Sequence, residues 1–150
     1  MVLYTRSLYV IFRNYKLLEQ IDNLSKLFTE IKPGVYTIKE IKPHEIEYLK
    51  KDPRIAIFNI DGSKIINLNS FFKNFANDLN FPYACTNLDS FYDWLIDLSW
   101  FKKEKFVIIF SHHENLKTND KDIFAKITEI FRYAIDEWIR TGRSGYILLS

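Results

Sequence analysis

A chain of 150 residues with 47% apolar and 17% aromatic side chains has the material for one domain with a real core plus an extension, which argues against disorder. Its net charge of +2 gives no general drive towards nucleic acid or a membrane surface. The single cysteine, Cys85, excludes an intramolecular disulfide, a cysteine-based zinc finger and a CxxC redox site, and it fits a reducing, cytoplasmic setting.

Residues 2–12 alternate loosely and are rich in Val, Tyr, Ile and Phe, a pattern open to an edge strand or to continuation into a following helix. Arg6 and Arg13 flank a run too short to cross a bilayer, and no small-residue cleavage site follows it, so it reads as neither anchor nor signal peptide. From Tyr15, the residues Leu17, Leu18, Ile21, Leu24, Leu27, Phe28 and Ile31 recur at helical spacing until Lys32-Pro33-Gly34, which predicts a helix. Gly34–Lys39 predicts a short strand, and Pro43 opens a short helix through Lys51. Asp52-Pro53 closes an N-terminal unit, residues 1–53, ahead of a main domain over 54–150.

The run Arg54–Ile60 predicts a buried strand ended by an Asp61-Gly62 turn. Asn69 is the expected cap of a helix carrying Phe72, Phe75, Ala76 and Leu79, broken at Phe81-Pro82. A second helix follows, capped by Asn87, with Leu88, Phe91, Leu95 and Leu98 as its inward stripe. Phe106–Phe110 predicts another buried strand, reached through Lys102, Lys103 and Lys105. Asn119 or Asp120 begins a long helix that Gly142 ends, and Tyr146–Leu149 predicts a last strand. Strands separated by helices imply a parallel sheet with right-handed crossovers, an α/β fold.

The helix after Asn87 carries the unusual charge. Asp89, Asp93 and Asp97 fall at i, i+4 and i+8 and form one row. Between Lys73 and Lys102 there is no Lys or Arg, only these three aspartates and Asp78. Asp89 gains from the helix dipole, but each like-charge i,i+4 pair costs a few tenths of a kcal/mol, so helix stability does not explain the row.

In order and spacing, residues 54–150 resemble the barstar family of ribonuclease inhibitors. The matching features are Phe58-Asn59-Ile60-Asp61-Gly62, the helix before Asn80-Phe81-Pro82, Asn87-Leu88-Asp89 leading into Tyr92-Asp93, and the closing Tyr146-Ile147-Leu148-Leu149-Ser150. Gly34–Tyr36 and Asp97–Trp100 also resemble segments of the longer, N-terminally extended members. The resemblance implies a three-stranded parallel sheet packed by helices, here with an α+β extension. It implies no catalysis: such a protein plugs the cleft of a ribonuclease with its acidic helix and the preceding loop, which stand in for RNA phosphates. Asp93 then takes the central role, with Asp89 one turn earlier, Asn87 and Tyr83 from the loop, and Tyr92 in place of an interfacial tryptophan. Leu88 belongs to the same motif, Asp97 matches the longer members, and Tyr133 stands where the inhibitor has a contacting glutamate.

Three departures from the family pattern stand out: Tyr133 in place of the glutamate, a net charge of +2 where the inhibitor is strongly acidic, and the loop before the acidic helix. Tyr83-Ala84-Cys85-Thr86 is one residue short, and Cys85 occupies the position of a glycine. Other chemistry-bearing residues have plainer readings. His112-His113-Glu114 lacks metal-ligand spacing and reads as a loop. The lysines at 102, 103 and 105 read as solvated, because no aromatic platform accompanies them in sequence. The expectation is a cofactor-free, metal-free, monomeric inhibitor or immunity protein whose partner is a basic ribonuclease or toxin domain, without direct nucleic-acid or membrane contact. The competing expectation is an interaction domain that binds a non-nuclease protein through its extension.

Overall fold

A computed structural model describes residues 18–150. The expectations for residues 2–12 and for the first turn of the predicted N-terminal helix lie outside the described residues. Among the described residues five strands, β1 (Gln20–Ile21), β2 (Gly34–Ile38), β3 (Ile55–Asp61), β4 (Lys105–Ser111) and β5 (Ser144–Leu149), form one sheet in the order β1-β2-β5-β4-β3. Every pairing is parallel. The helices are α1 (Pro43–Lys50), α2 (Leu68–Asp78), α3 (Leu88–Asp97), α4 (Glu114–Asn119) and α5 (Lys121–Arg140).

The α/β class and the parallel sheet agree with the sequence reading. The strands of residues 54–150 supply the β5-β4-β3 part, and β2 extends the same sheet by pairing with β5 from Gly34 opposite Tyr146 to Thr37 opposite Leu149. Alternation along β4 explains why both faces must be covered: Phe106, Ile108 and Phe110 face one core, while Val107 and Ile109 face another. The first core is built with α2, α3 and α5, and its centre is aromatic. Phe75 lies 5.5 Å from Phe91 and 5.8 Å from Phe131 by ring centroids, and 5.3 Å from Phe110 of the sheet. The second core joins Ile21, Leu24, Leu27 and Leu49 to Tyr146 and Leu148 of β5.

Over the described residues 18–31 the predicted helix is not formed. Gln20–Ile21 pairs with β2, Leu24–Lys26 makes one 3-10 turn capped by Asn23, and Leu27 bridges to Ile31. The three-residue spacing of Ile21, Leu24 and Leu27 is satisfied by a strand followed by a tight turn, and tertiary burial of all three decides against the helix. Phe28, with φ of 67°, ends any helical run there.

Two smaller expectations also change. The cap of α2 is Asn67, whose Oδ1 accepts the Ser70 amide at 2.9 Å, so Asn69 lies inside the first turn. The His112-His113 loop is shorter than expected, because α4 begins at Glu114. His113 itself is buried, with Nδ1 2.8 Å from the carbonyl of Ser150 and its ring stacked on Phe124.

Candidate functional site

Helix α3 is fixed at both ends. At its start Asn87 Oδ1 accepts the Ser90 amide at 2.8 Å, and the Ser90 hydroxyl accepts the Asn87 amide at 3.4 Å, a reciprocal cap that uses the same Asn-x-x-Ser sequence as α2. At its end Arg143, at the entry to β5, donates from Nη2 to the Ile96 carbonyl at 2.7 Å and from Nη1 to the Asp97 carbonyl. Those carbonyls have no partner within the helix, and a guanidinium satisfies them while opposing the negative end of the dipole. Burial holds the Arg143 pKa below its ordinary value, with the Asp97 and Glu137 carboxylates acting against that effect. The helix body is anchored by Phe91, Leu95 and the left-handed Leu98, all fully buried, and by Trp138 of α5, whose indole donates to the Leu95 carbonyl at 3.0 Å.

On this rigid element the acidic row occupies graded environments. Asp93, at mid-helix, is exposed, whereas Asp89 and Asp97 are half-buried. Tyr92 is half-buried beside Asp93, and its hydroxyl pKa is raised first by burial, then by the charges of Glu137 and Asp93, with Tyr133 adding to the effect. The structure therefore brings Asp93 and Tyr92 of α3 together with Tyr133 and Glu137 of α5. Glu137 and its ion-pair partner Arg140 were not among the residues singled out from sequence. The signal was present, since Glu137 lies four residues beyond Tyr133 and shares its helix face.

The loop preceding α3 is also ordered by packing. Tyr83 is 73% exposed, and its ring lies 5.9 Å from Trp94, which in turn sits 6.1 Å from Trp100. Trp100 donates to the Leu79 carbonyl at 3.0 Å and so ties the loop's root to the end of α2. Cys85, at the position of the usual glycine, is buried, with Sγ 3.5 Å from the Ser90 hydroxyl. The left-handed residue of this stretch is Asn80, at φ of 52°, so Cys85 does not carry that conformation. Burial raises the thiol pKa, which leaves it a poor nucleophile near neutrality. Between α2 and this loop runs an open groove of about 500 Å³ bordered by Lys73, Asn77 and Tyr83.

A family model described as Barstar (barnase inhibitor) matches residues 55–150. The chain belongs to the barstar family. The match covers β3, β4, β5 and helices α2 to α5, so it includes α3 and its loop and leaves β1, β2 and α1 outside. No curated protein matches the chain. Barstar family members are inhibitors that bind ribonuclease proteins, which supports a protein partner in general for this chain. Among the described residues, no group of three or more His, Cys, Asp or Glu is arranged to hold a metal ion, and no helix is long and apolar enough to cross a membrane.

Proposed function

We propose that this protein is a non-catalytic inhibitor of the immunity type, which occludes the active site of a ribonuclease with α3 and the loop before it. The observation that carries the reading is the exposure of Asp93 in the middle of a helix whose two ends are both tied down. A ribonuclease concentrates Arg, Lys and His around its phosphate site. A carboxylate held on a rigid helix meets those groups without first losing side-chain and backbone freedom.

Asp93 is the centre of the proposed contact, with Asp89 one turn towards the amino end and Asp97 one turn towards the carboxyl end. Asn87 divides its duty, because its side-chain oxygen is already engaged as the cap; its exposed edge is what a partner meets. Leu88 supports the first turn by packing on the core. Tyr83, packed on Trp94, offers aromatic surface on one side of the row, and Tyr92 with Tyr133 and Glu137 closes the other. The tyrosine at 133 exchanges a charge for an amphipathic ring, so this face suits a cleft with an apolar wall as well as a cationic floor.

The test is inhibition of a basic ribonuclease toxin, first among them one encoded beside this chain, by a stoichiometric amount of the purified protein. Asp93→Ala is expected to weaken inhibition by about 2–5 kcal/mol, with undiminished folding and with a salt dependence smaller than that of the parent. Unchanged inhibition by Asp93→Ala, or an active toxin in the presence of excess parent protein, overturns the proposal.

A further inference from the structure

The geometry points to a second binding pocket, for a nucleoside monophosphate unit, on the sheet face opposite α3. This pocket has a volume of about 400 Å³ and lies between the turn after Leu24–Lys26, the end of α1 and the starts of β3 and β4. Its floor belongs to the second core, through Leu27 and Leu49, whereas α3 packs on the first. A ligand here and a ribonuclease on α3 therefore occupy different faces.

Three observations define the chemistry. The first is strain: Phe28 has φ of 67°, a conformation costly for a bulky residue. It is imposed by the buried Tyr146 hydroxyl, which accepts the Phe28 amide at 3.0 Å and donates to the Ile31 carbonyl, while the two rings meet edge-on at 4.7 Å. The structure thus fixes an aromatic ring at the wall of the pocket. The second is charge. Lys105 Nζ sits 5.0 Å from the Phe28 ring centre, Arg54 is oriented by paired bonds to Asp52 at 3.0 and 2.8 Å, and Lys51 lines the same pocket. The third is an exposed aromatic: Tyr48, 56% exposed on α1, stands at the pocket.

A pocket lined by three cations and one carboxylate, Asp52, which Arg54 already engages, with one fixed ring and one exposed ring, matches a phosphate joined to a base. The phosphate meets Lys51, Lys105 and the outer edge of Arg54, and the base stacks on Tyr48. The volume lies within the range of small-molecule sites, roughly 300–1,000 Å³. Lys102 and Lys103, just ahead of β4, continue the positive charge, with the Lys103 ammonium bonded to the Pro53 carbonyl beside Arg54, and a second phosphate of a single strand would pass there.

Isothermal titration of the full chain with adenosine 5′-monophosphate tests this, with adenosine and inorganic phosphate as partial probes. The expected result is saturable binding of the nucleotide, at least about tenfold tighter than either part, weakened at least about fivefold by Tyr48→Ala and by Lys105→Gln. Tyr48 is exposed, so its removal leaves the fold intact, and circular dichroism confirms this for both variants. Asp93→Ala leaves nucleotide binding unchanged, and Tyr48→Ala leaves ribonuclease inhibition unchanged, which separates this pocket from the α3 face. Absence of saturable nucleotide binding overturns the inference. So does phosphate binding as tightly as the nucleotide, or indifference to Tyr48→Ala. A hexa-adenylate that binds tighter than the mononucleotide, with the gain lost in Lys102→Gln/Lys103→Gln, supports the pocket with single-stranded RNA as its source. Equal affinities support it with a free nucleotide as its source.

Discussion

Arg143→Met removes a guanidinium that joins the entry of β5 to the last turn of α3. Two charge-assisted bonds are lost, to the Ile96 and Asp97 carbonyls, together with the Arg143 bonds to the Thr141 hydroxyl at 3.1 and 3.0 Å. A hydrogen bond to a charged group contributes about 1.5–3 kcal/mol, and the low end applies because these helix-terminal carbonyls regain water once the side chain is gone. Two such bonds give about 3 kcal/mol, from which the cost of partly burying the cation is subtracted, a cost visible in its lowered pKa. The net expectation is a destabilisation of about 2 kcal/mol, read by urea unfolding at constant m-value, with a fall in Tm of about 4–8 °C. Arg143→Lys keeps the charge but cannot span both carbonyls, so its loss is expected to be intermediate. If Arg143→Met melts with the parent, or if the lysine variant is no better than the methionine variant, the guanidinium is not what ties α3 down.

Gly62→Ala places a Cβ 2.2 Å from the Ser111 carbonyl and 2.6 Å from the Phe110 ring, at the point where β3 leaves the sheet. A loss of about 3 kcal/mol or more in urea unfolding is expected, because one of the obstacles is backbone. Asp52 has its pKa lowered to about 2, chiefly by the side-chain and backbone bonds from Arg54. Since the folded-state value lies below the ordinary 3.8, the contribution of this carboxylate is present above the ordinary value and is lost as pH falls through about 2. NMR titration of Asp52 is expected to show this depressed midpoint and its return towards the ordinary value in Arg54→Ala. Cys85, buried and with a raised thiol pKa, is expected to react slowly with iodoacetamide at neutral pH and to become reactive on addition of denaturant.

The parts of the fold that follow simple periodicity were legible in the sequence. The apolar runs of β3 and β4, the capped acidic helix and the long helix begun by Asp120 need only local pattern and a cap, and the structure places them within a residue or two of expectation. The residues from 18 to 31 were not legible, because a three-residue apolar spacing fits a helix and also fits a strand joined to a 3-10 turn. Only pairing with β2, itself set by β5, distinguishes the two. At the α3 face, the aspartate row could be read from i,i+4 spacing, but the approach of Glu137 and the clamp by Arg143 depend on how α5 and β5 cross α3. No local pattern encodes that crossing. The pocket beside Phe28 is the furthest case, since its side chains come from three separated segments and its strain depends on a hydroxyl more than a hundred residues away.

The position of β5 also bears on how the chain comes into being on the ribosome. Among the described strands it is the last to be synthesised, yet it lies between β2 and β4, so the middle of the sheet arrives after both of its flanks. Until then the inner edges of β2 and β4 have no partner, since β1 pairs with the other edge of β2 and β3 with the other edge of β4. Val107, Ile109 and the turn around Leu24 are then without the Tyr146 and Leu148 that cover them. Such edges recruit foreign strands as readily as the correct one. A chain stalled before Ser144 therefore leaves two sheet edges and part of the second core bare, and adding the six residues of β5 closes both at once.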